Sequence, residues 1–334
     1  MRIRLAVTTL ALATALTAGE RGPAHDRRQT PASSAPASAN PTVQDILDHL
    51  PDDVVAGALI RRDGVGATAG PVTADAYVRI GSVTKAFTNT VVLQLVAEHR
   101  IGLDTPARRY VPQVLPEAYN RVTVRHLLDH TSGLPKPAST PGPADGPGWQ
   151  LKSVTPEDFL RDSFVAATDA PPAPGSEQQY NGLNSFVLGL IVEKVTGHSF
   201  TSELQRRIIR PLHLRHTSLP AAADLDRFIT ALFRGSLLPP TQQKLVFEVP
   251  NVKSAADNTN CVGQAACYSI GGLLRYQLPS GKYAWGKTGS RPGWDNGFFA
   301  TRDLRHRVVY SLNPTGTGND LPYIKAIVNA ALAD

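Results

Sequence analysis

A two-lobed α+β fold is predicted for this chain, an antiparallel sheet flanked by terminal helices plus a mainly helical lobe. Three observations predict it. The first folded residues read as a helix followed by β-type runs, the middle carries helical periodicity, and the last third alternates short β-type runs with Gly, Pro, Asn and Asp before a closing helix. With 334 residues, 42% of them hydrophobic and 19% charged, the chain has the composition of a globular protein and excludes a disordered or coiled-coil bulk.

Residues 1–24 hold Arg2 and Arg4, then an apolar run from Leu5 to Ala18, then small residues, the pattern of a secretory signal too short to span a bilayer comfortably. Residues 25–40 are rich in Pro, Ser and Ala without apolar period, a flexible linker, so the folded domain is expected over 41–334. A helix is predicted over Thr42–Leu50, with Val43, Ile46, Leu47 and Leu50 on one face. Val54–Ile60 reads as a strand, Gly64–Gly70 as a turn, and Ala76–Ile80 as the chain leading on, together a hairpin. A long helix follows over Lys85–Glu98, where Phe87, Val91, Val92, Leu95 and Val96 recur at helical spacing.

Further helices are predicted at Thr123–Asp129, Thr155–Phe164, Leu183–Thr196 and Phe200–Arg210, with a Pro/Gly-rich loop over Leu134–Trp149. Strands are predicted at Cys267–Gln277, Tyr283–Thr288, Gly297–Thr301 and Arg307–Asn313, and a helix over Leu321–Leu332. The two cysteines, Cys261 and Cys267, lie six positions apart, and in an exported protein a short-range disulfide is the first expectation, with two free thiols second. Clefts between two such lobes are common ligand sites.

The charge balance, 34 Lys+Arg against 28 Asp+Glu, is spread along the chain without a basic block, and no nucleic-acid partner follows from it. No later segment has the apolar length of a spanning helix, so no stable membrane insertion is expected. His126 and His130 have the i,i+4 spacing of a metal pair but lie in or beside Leu127–Pro135, where a structural role is the stronger reading; neither metal nor cofactor is expected. Asp104, Glu193 and Lys194 read as solvated or capping charges, and Trp294 and Tyr268 as equally suited to cleft or core.

Two short segments carry chemistry. In Gly81-Ser82-Val83-Thr84-Lys85, at the start of the long helix, the lysine lies one turn from the serine on the same face. A serine hydroxyl becomes a useful nucleophile only when a neighbour takes its proton, and a lysine with a depressed pKa can do so; the helix N-terminus adds free N–H groups beside it. Trp285-Gly286-Lys287-Thr288-Gly289-Ser290 ends a predicted strand, its glycines permitting close backbone approach to a ligand and Lys287 adding a cation.

Together with Leu127–Pro135 (LLDHTSGLP) and Pro211–Pro220 (PLHLRHTSLP), these segments, in this order, resemble the serine β-lactamase-related family of D-alanyl-D-alanine carboxypeptidases, class C β-lactamases, esterases and D-peptidases. The resemblance runs from about Gln44 to the C-terminus and implies a β-lactamase/transpeptidase-like fold. By it, Ser82 is the acylated nucleophile, Lys85 its partner in proton transfer, and Tyr180 the tyrosine of the family's middle motif. It further implies that Lys287 orients a substrate carboxylate, that Thr288 also binds substrate, and that the backbone N–H groups of Ser82 and Ser290 form the oxyanion hole. A phenol held near two lysines can exist partly as phenolate and take the serine proton.

Two features depart from the family pattern. The middle motif usually reads Tyr-x-Asn, yet Gly182 stands at the third position between Asn181 and Asn184. After Pro220 the chain lacks a stretch that commonly helps wall the cleft, and a Cys261–Cys267 disulfide would stiffen the shorter wall. The expected function is an exported serine hydrolase working through a Ser82 acyl-enzyme on a peptide or β-lactam-like small substrate. D-alanyl-D-alanine carboxypeptidase-like action on peptidoglycan peptides leads; a class C-type β-lactamase, an esterase, a D-amino-acid peptidase and a non-catalytic binder of cell-wall peptides are the alternatives.

Overall fold

The computed structural model describes residues 41–51, 53–73, 75–138, 154–167, 170, 172–214, 222–258, 261, 263–316 and 318–333. The signal and linker expected over 1–40 lie outside the described residues, as do most of the Leu134–Trp149 loop and the end of the Pro211–Pro220 segment. The helices are α1 (Pro41–Asp48), α2 (Thr84–Ala97), α3 (Val124–Leu128), α4 (Pro156–Val165), α5 (Leu183–Thr196), α6 (Phe200–Leu204), α7 (Ala222–Phe233), α8 (Pro240–Leu245) and α9 (Leu321–Ala331). The strands are β1 (Val55–Arg62), β2 (Val65–Ala69), β3 (Glu177–Gln178), β4 (Lys253–Ser254), β5 (Leu274–Gln277), β6 (Tyr283–Arg291), β7 (Trp294–Thr301) and β8 (Arg307–Pro314).

Six strands form one antiparallel sheet in the order β2-β1-β8-β7-β6-β5, so strands from the two ends of the domain meet at its centre. Alternation along the strands divides the core. Val308, Tyr310 and Leu312 of β8 pack with Ala58, Ile60 and Phe299 against Val43, Leu47, Ile327 and Val328 of α1 and α9. On the opposite face, Leu59, Val309, Phe298 and Ala300 join the larger core built from the helical lobe and α7. Central strands buried on both faces explain why Val308, Val309, Tyr310 and Leu312 are all apolar and buried, with only Ser311 interrupting them. Helix α2 is buried all round, which fits its weak apolar asymmetry, and its Asn89 amide bonds the carbonyls of Leu128 (3.1 Å) and Ile270 (2.9 Å).

Three expectations need correction. The hairpin partner of β1 is Val65–Ala69, within the stretch expected as a turn, because Asp63 (φ 48°) and Gly64 (φ 93°) make the two-residue loop and Arg62 pairs with Val65. Positive φ at both central residues is what a type I′ hairpin demands, and Asp-Gly meets it. Of Cys267–Gln277 only Leu274–Gln277 is strand; the residues before it form turns around the site. Helix α7 was not predicted, although Leu225, Phe228, Ile229 and Leu232 recur at i, i+3, i+4 and i+7 and are all buried. It follows directly after the shortened segment and packs on β1, β7 and β8, its Asp226 reaching Arg61 (3.2 Å) on β1 and Arg307 (2.6 Å) on β8.

Candidate active site

Ser82 stands in a single 3₁₀ turn, Gly81–Val83, that runs straight into α2 with no side chain capping its N-terminus. Two glycines let this turn touch the sheet. A methyl group at Gly289 of β6 would sit 2.0 Å from the Ile80 oxygen and 3.0 Å from the Ser82 nitrogen; one at Gly81 (φ +47°) would sit 2.6 Å from the Ser290 oxygen and 3.0 Å from its nitrogen. The backbones of Ser82 and Ser290 are therefore side by side, and both residues border the same cavity. Asn296 on β7 fixes the approach to the turn by donating to the Arg79 carbonyl.

Lys85 lies one turn along α2, its Nζ donating to Ser82 Oγ at 3.1 Å. Above it sits the Tyr180 ring, whose centroid is 5.1 Å from Lys85 Nζ and 4.9 Å from Lys287 Nζ. Tyr180 also packs on His130 (4.7 Å between ring centroids) and Tyr268 (5.0 Å). Burial would raise the pKa of its phenol, but the charges of Lys287 and Lys85, aided by the nearby Lys85 and Ser82 side chains, outweigh burial and bring it down to about 8. The phenol oxygen is buried without a hydrogen bond of ordinary geometry, which leaves it free to take one from Ser82.

Lys287 is 2% exposed, and its ammonium donates to the Thr288 carbonyl at 2.8 Å while lying over Tyr180 and Tyr268. Burial lowers its pKa, with the Tyr180 oxygen opposing and Lys85 adding to the effect. Its charge is thus directed at Tyr180 rather than out into solvent. Thr288, Gly289 and Ser290 line the cavity beside it.

The LLDHTSGLP segment is scaffold for this cluster. Helix α3 starts with a reciprocal cap in which Thr123 accepts from the His126 N–H and the His126 ring accepts from the Thr123 N–H (3.2 Å). His126 is thereby a capping residue, whereas His130 (φ 62°) presses its ring on Tyr180 and accepts from the Asn181 N–H at 3.2 Å. Burial and then the two lysines push the His130 pKa well below the ordinary histidine value, so its ring is neutral.

Neither asparagine beside Gly182 faces substrate. The Asn181 amide donates to the Leu134 (2.9 Å) and Pro135 (2.7 Å) carbonyls and accepts from Leu183, while Asn184 is engaged with Ser132 and His130. Gly182 itself has helical geometry (φ −66°), and a side chain there would meet nothing within 4 Å.

Sequence reasoning missed Gln178. Fully buried, it accepts from the N–H groups of Cys267 (2.8 Å) and Tyr268 (2.9 Å) and donates to the carbonyls of Asp129 (2.7 Å) and Tyr268 (2.8 Å). One amide thus ties three loops together under Tyr180. Only its place two residues before Tyr180 could have drawn attention to it. Cys261 and Cys267 are joined by a disulfide, as first expected, next to this clamp. Tyr268 lines the cavity, whereas Trp294 packs against the larger core; Asp104 pairs with Arg125 (2.7 Å).

The model of the Beta-lactamase family matches residues 43–223, more than half of the chain. The chain belongs to the Beta-lactamase family. That match includes Ser82, Lys85 and Tyr180 and stops before Lys287, so the second half of the sheet is related through its fold. A D-stereospecific amidohydrolase from Streptomyces sp. superposes with a TM-score of 0.71 at 27% identity, covering 86% of this chain and 98% of that one. The D-amino acid amidase from Ochrobactrum anthropi SV3 superposes with a TM-score of 0.69 at 21% identity over 87% of this chain and 97% of that one, a likeness of fold. Among curated relatives, Esterase EstB of Burkholderia gladioli is 31% identical over 192 residues, 54% of this chain and 47% of the esterase. Protein flp of Staphylococcus aureus is 32% identical over 143 residues, 42% of this chain and 27% of flp. The chain thus spans less than half of the curated relatives it matches. The fold is that of the serine β-lactamase and penicillin-binding protein superfamily, as the sequence predicted.

Proposed function

We propose that this member of the Beta-lactamase family is a serine hydrolase that works through a Ser82 acyl-enzyme and cleaves amide bonds of D-configured amino-acid or peptide substrates. The observation that carries the reading is the contact of Lys85 Nζ with Ser82 Oγ at 3.1 Å beneath a tyrosine whose phenol is brought to about 8. Ser82 Oγ attacks the carbonyl carbon as its proton passes to the Lys85–Tyr180 pair; the C–N bond then breaks and the leaving nitrogen takes that proton. Water repeats the sequence on the ester, releasing acid and restoring Ser82. The N–H groups of Ser82 and Ser290 would bind the oxyanion. Lys287 acts through Tyr180, and Thr288, where β6 borders the cavity, offers the contact for a substrate carboxylate that carboxypeptidase action on peptidoglycan peptides requires. The 27% identity to a D-stereospecific amidohydrolase favours D-configured amides over simple esters. Export through residues 1–24 belongs to the same proposal, and the disulfide supports an oxidising compartment.

Intact-mass measurement after treatment with a fluorophosphonate, and separately with a penicillin, tests the chemistry. One adduct on the wild-type chain, absent from Ser82→Ala, is expected with the fluorophosphonate. An adduct that survives in Ser82→Ala, or a wild-type chain that neither labels nor hydrolyses any ester or amide, would overturn the proposal. A lasting penicillin adduct would place the enzyme with penicillin-sensitive D-peptidases.

A further inference from the structure

The cavity beside Ser82 wraps around β6 to the face of the sheet covered by α9, where Asp295, Tyr310, Asp320, Leu321 and Ile324 line it. Side chains alternate along β6, so Lys287 and Gly289 face the Ser82 turn while Thr288 and Ser290 face α9. Asp295 is the cross-strand partner of Ser290. Residues paired in this way have Cα atoms about 4.5–5.5 Å apart, and the Asp295 carboxyl accepts a hydrogen bond from the Ser290 side chain.

Asp320, just before α9, closes on Asp295, and the two carboxyls are near enough to interact directly. Among the described residues, neither is ion-paired with a cationic side chain, and Asp320 Oδ2 is buried without a hydrogen-bond partner. Beneath them Tyr310, completely buried, reaches from β8 across Gly297, where an added methyl group would lie 2.7 Å from its oxygen. Tyr310 borders the same cavity, and its buried hydroxyl has no hydrogen-bond partner. A phenol could have been directed elsewhere or replaced by phenylalanine at no packing cost, and a buried polar group without a partner is costly.

Beyond the Ser290 hydroxyl, which donates to Asp295, the inventory is one-sided: two carboxyls and a phenol oxygen, acceptors in excess, without a cation to fill them. An ammonium group, with three donors and no acceptor, is the chemistry that completes it. We propose that Asp295 and Asp320, over the Tyr310 hydroxyl, are the subsite for a protonated amine of the substrate a few atoms from the carbonyl that Ser82 attacks. Burial, and after it the neighbouring Asp320, holds Asp295 at about 6, and the repulsion between the carboxyls is relieved when that amine is seated. This specificity rests on the Ser82 reading of the same site.

Binding to the Ser82→Ala protein tests it without turnover. D-alanine p-nitroanilide and its N-acetyl derivative differ in the ammonium, and calorimetry at pH 7.5 should show the free amine binding about ten- to a hundredfold more tightly, the range of a hydrogen bond to a charged group. Adding Asp295→Asn or Asp320→Asn should collapse that ratio towards one, with circular dichroism verifying the fold of each. Equal binding of the two ligands, no binding of either, or a ratio that survives both substitutions overturns the subsite. Fluorophosphonate labelling of Ser82 in the otherwise wild-type chain is read separately, so loss of the subsite and loss of the hydrolase reading are distinguishable.

Discussion

Tyr180 is governed by two opposed effects of similar size, burial against two nearby ammonium groups. Because the ammonium groups win, the phenolate becomes accessible near neutral pH. The sign follows directly: the deprotonated form is gained as pH rises through about 8, so kcat/KM should show an ascending limb there, a property of the Lys85–Tyr180–Lys287 cluster as a whole. Tyr180→Phe should remove the limb and lower kcat/KM about 10²- to 10⁴-fold, read from pH–rate profiles of an activated amide. His130 carries the opposite consequence for stability. Its folded pKa is depressed, so the unfolded chain binds the extra proton and stability falls as pH drops below about 6.5.

Gly182 is the other residue whose environment makes a definite forecast. Its φ of −66° needs no glycine, and a side chain would enter open space. Gly182→Asn should therefore fold with unchanged or slightly higher stability, by up to about 1 kcal/mol through the unfolded chain. If the family's motif amide contacts substrate, the same change should lower KM while leaving fluorophosphonate labelling of Ser82 intact. Thermal unfolding and steady-state kinetics of the single variant check both.

At the scale of elements, the site is a meeting of the α2 turn, β6 and the loops before α5 and β5. Gln178 holds the last two together with three hydrogen bonds from one buried amide, and a fourth ties them to the Asp129 carbonyl after α3. Gln178→Ala strands backbone groups of Cys267, Tyr268 and Asp129, at about 1–3 kcal/mol for each group left unsatisfied. Partial rescue by water brings the expectation to a loss of about 2–4 kcal/mol in denaturant unfolding, with lowered kcat because Tyr268 is released from Tyr180. The α2–β6 contact is less forgiving: at Gly289 even a methyl group would overlap the Ile80 carbonyl. Gly289→Ala must separate β6 from the Ser82 turn, and with them the Ser82 and Ser290 N–H groups proposed to bind the oxyanion, so labelling of Ser82 should fail in a chain that still shows strand and helix by circular dichroism.

For the whole molecule, the sheet joins β1 to β8 and so closes the domain through contacts of very long sequence separation, while the disulfide closes only a short loop. Loop-closure entropy for so small a ring is worth about 2 kcal/mol. Reducing it, or Cys261→Ser with Cys267→Ser, should lower global stability by no more than that. The larger effect is expected at the site, since Cys267 adjoins Tyr268 and the Gln178 clamp. Stability measured with and without reductant, beside kcat under the same conditions, separates the two.

Local pattern was enough wherever an element's apolar period and its caps lie within one stretch of chain. Helix α5 was predicted with the boundaries observed, because the apolar stretch Phe186–Val192 is followed by Gly197 in the left-handed conformation (φ 77°) that glycine favours at a helix end. The pairing of Ser82 with Lys85 was equally legible, since one helical turn fixes it. What sequence by itself determined is therefore the α+β class, most helices, the late strands and the contact of Ser82 with Lys85. Tertiary structure alone decided that Asn181 and Asn184 are tied to the scaffold, that Lys287 is buried over Tyr180, that Gln178 is the clamp, and that two carboxyls face a buried phenol beside Ser290. Each of these depends on which distant segments come within a few ångströms, and hydrogen-bond partners, burial and the electrostatic fields that shift a pKa are set by that proximity rather than by order along the chain.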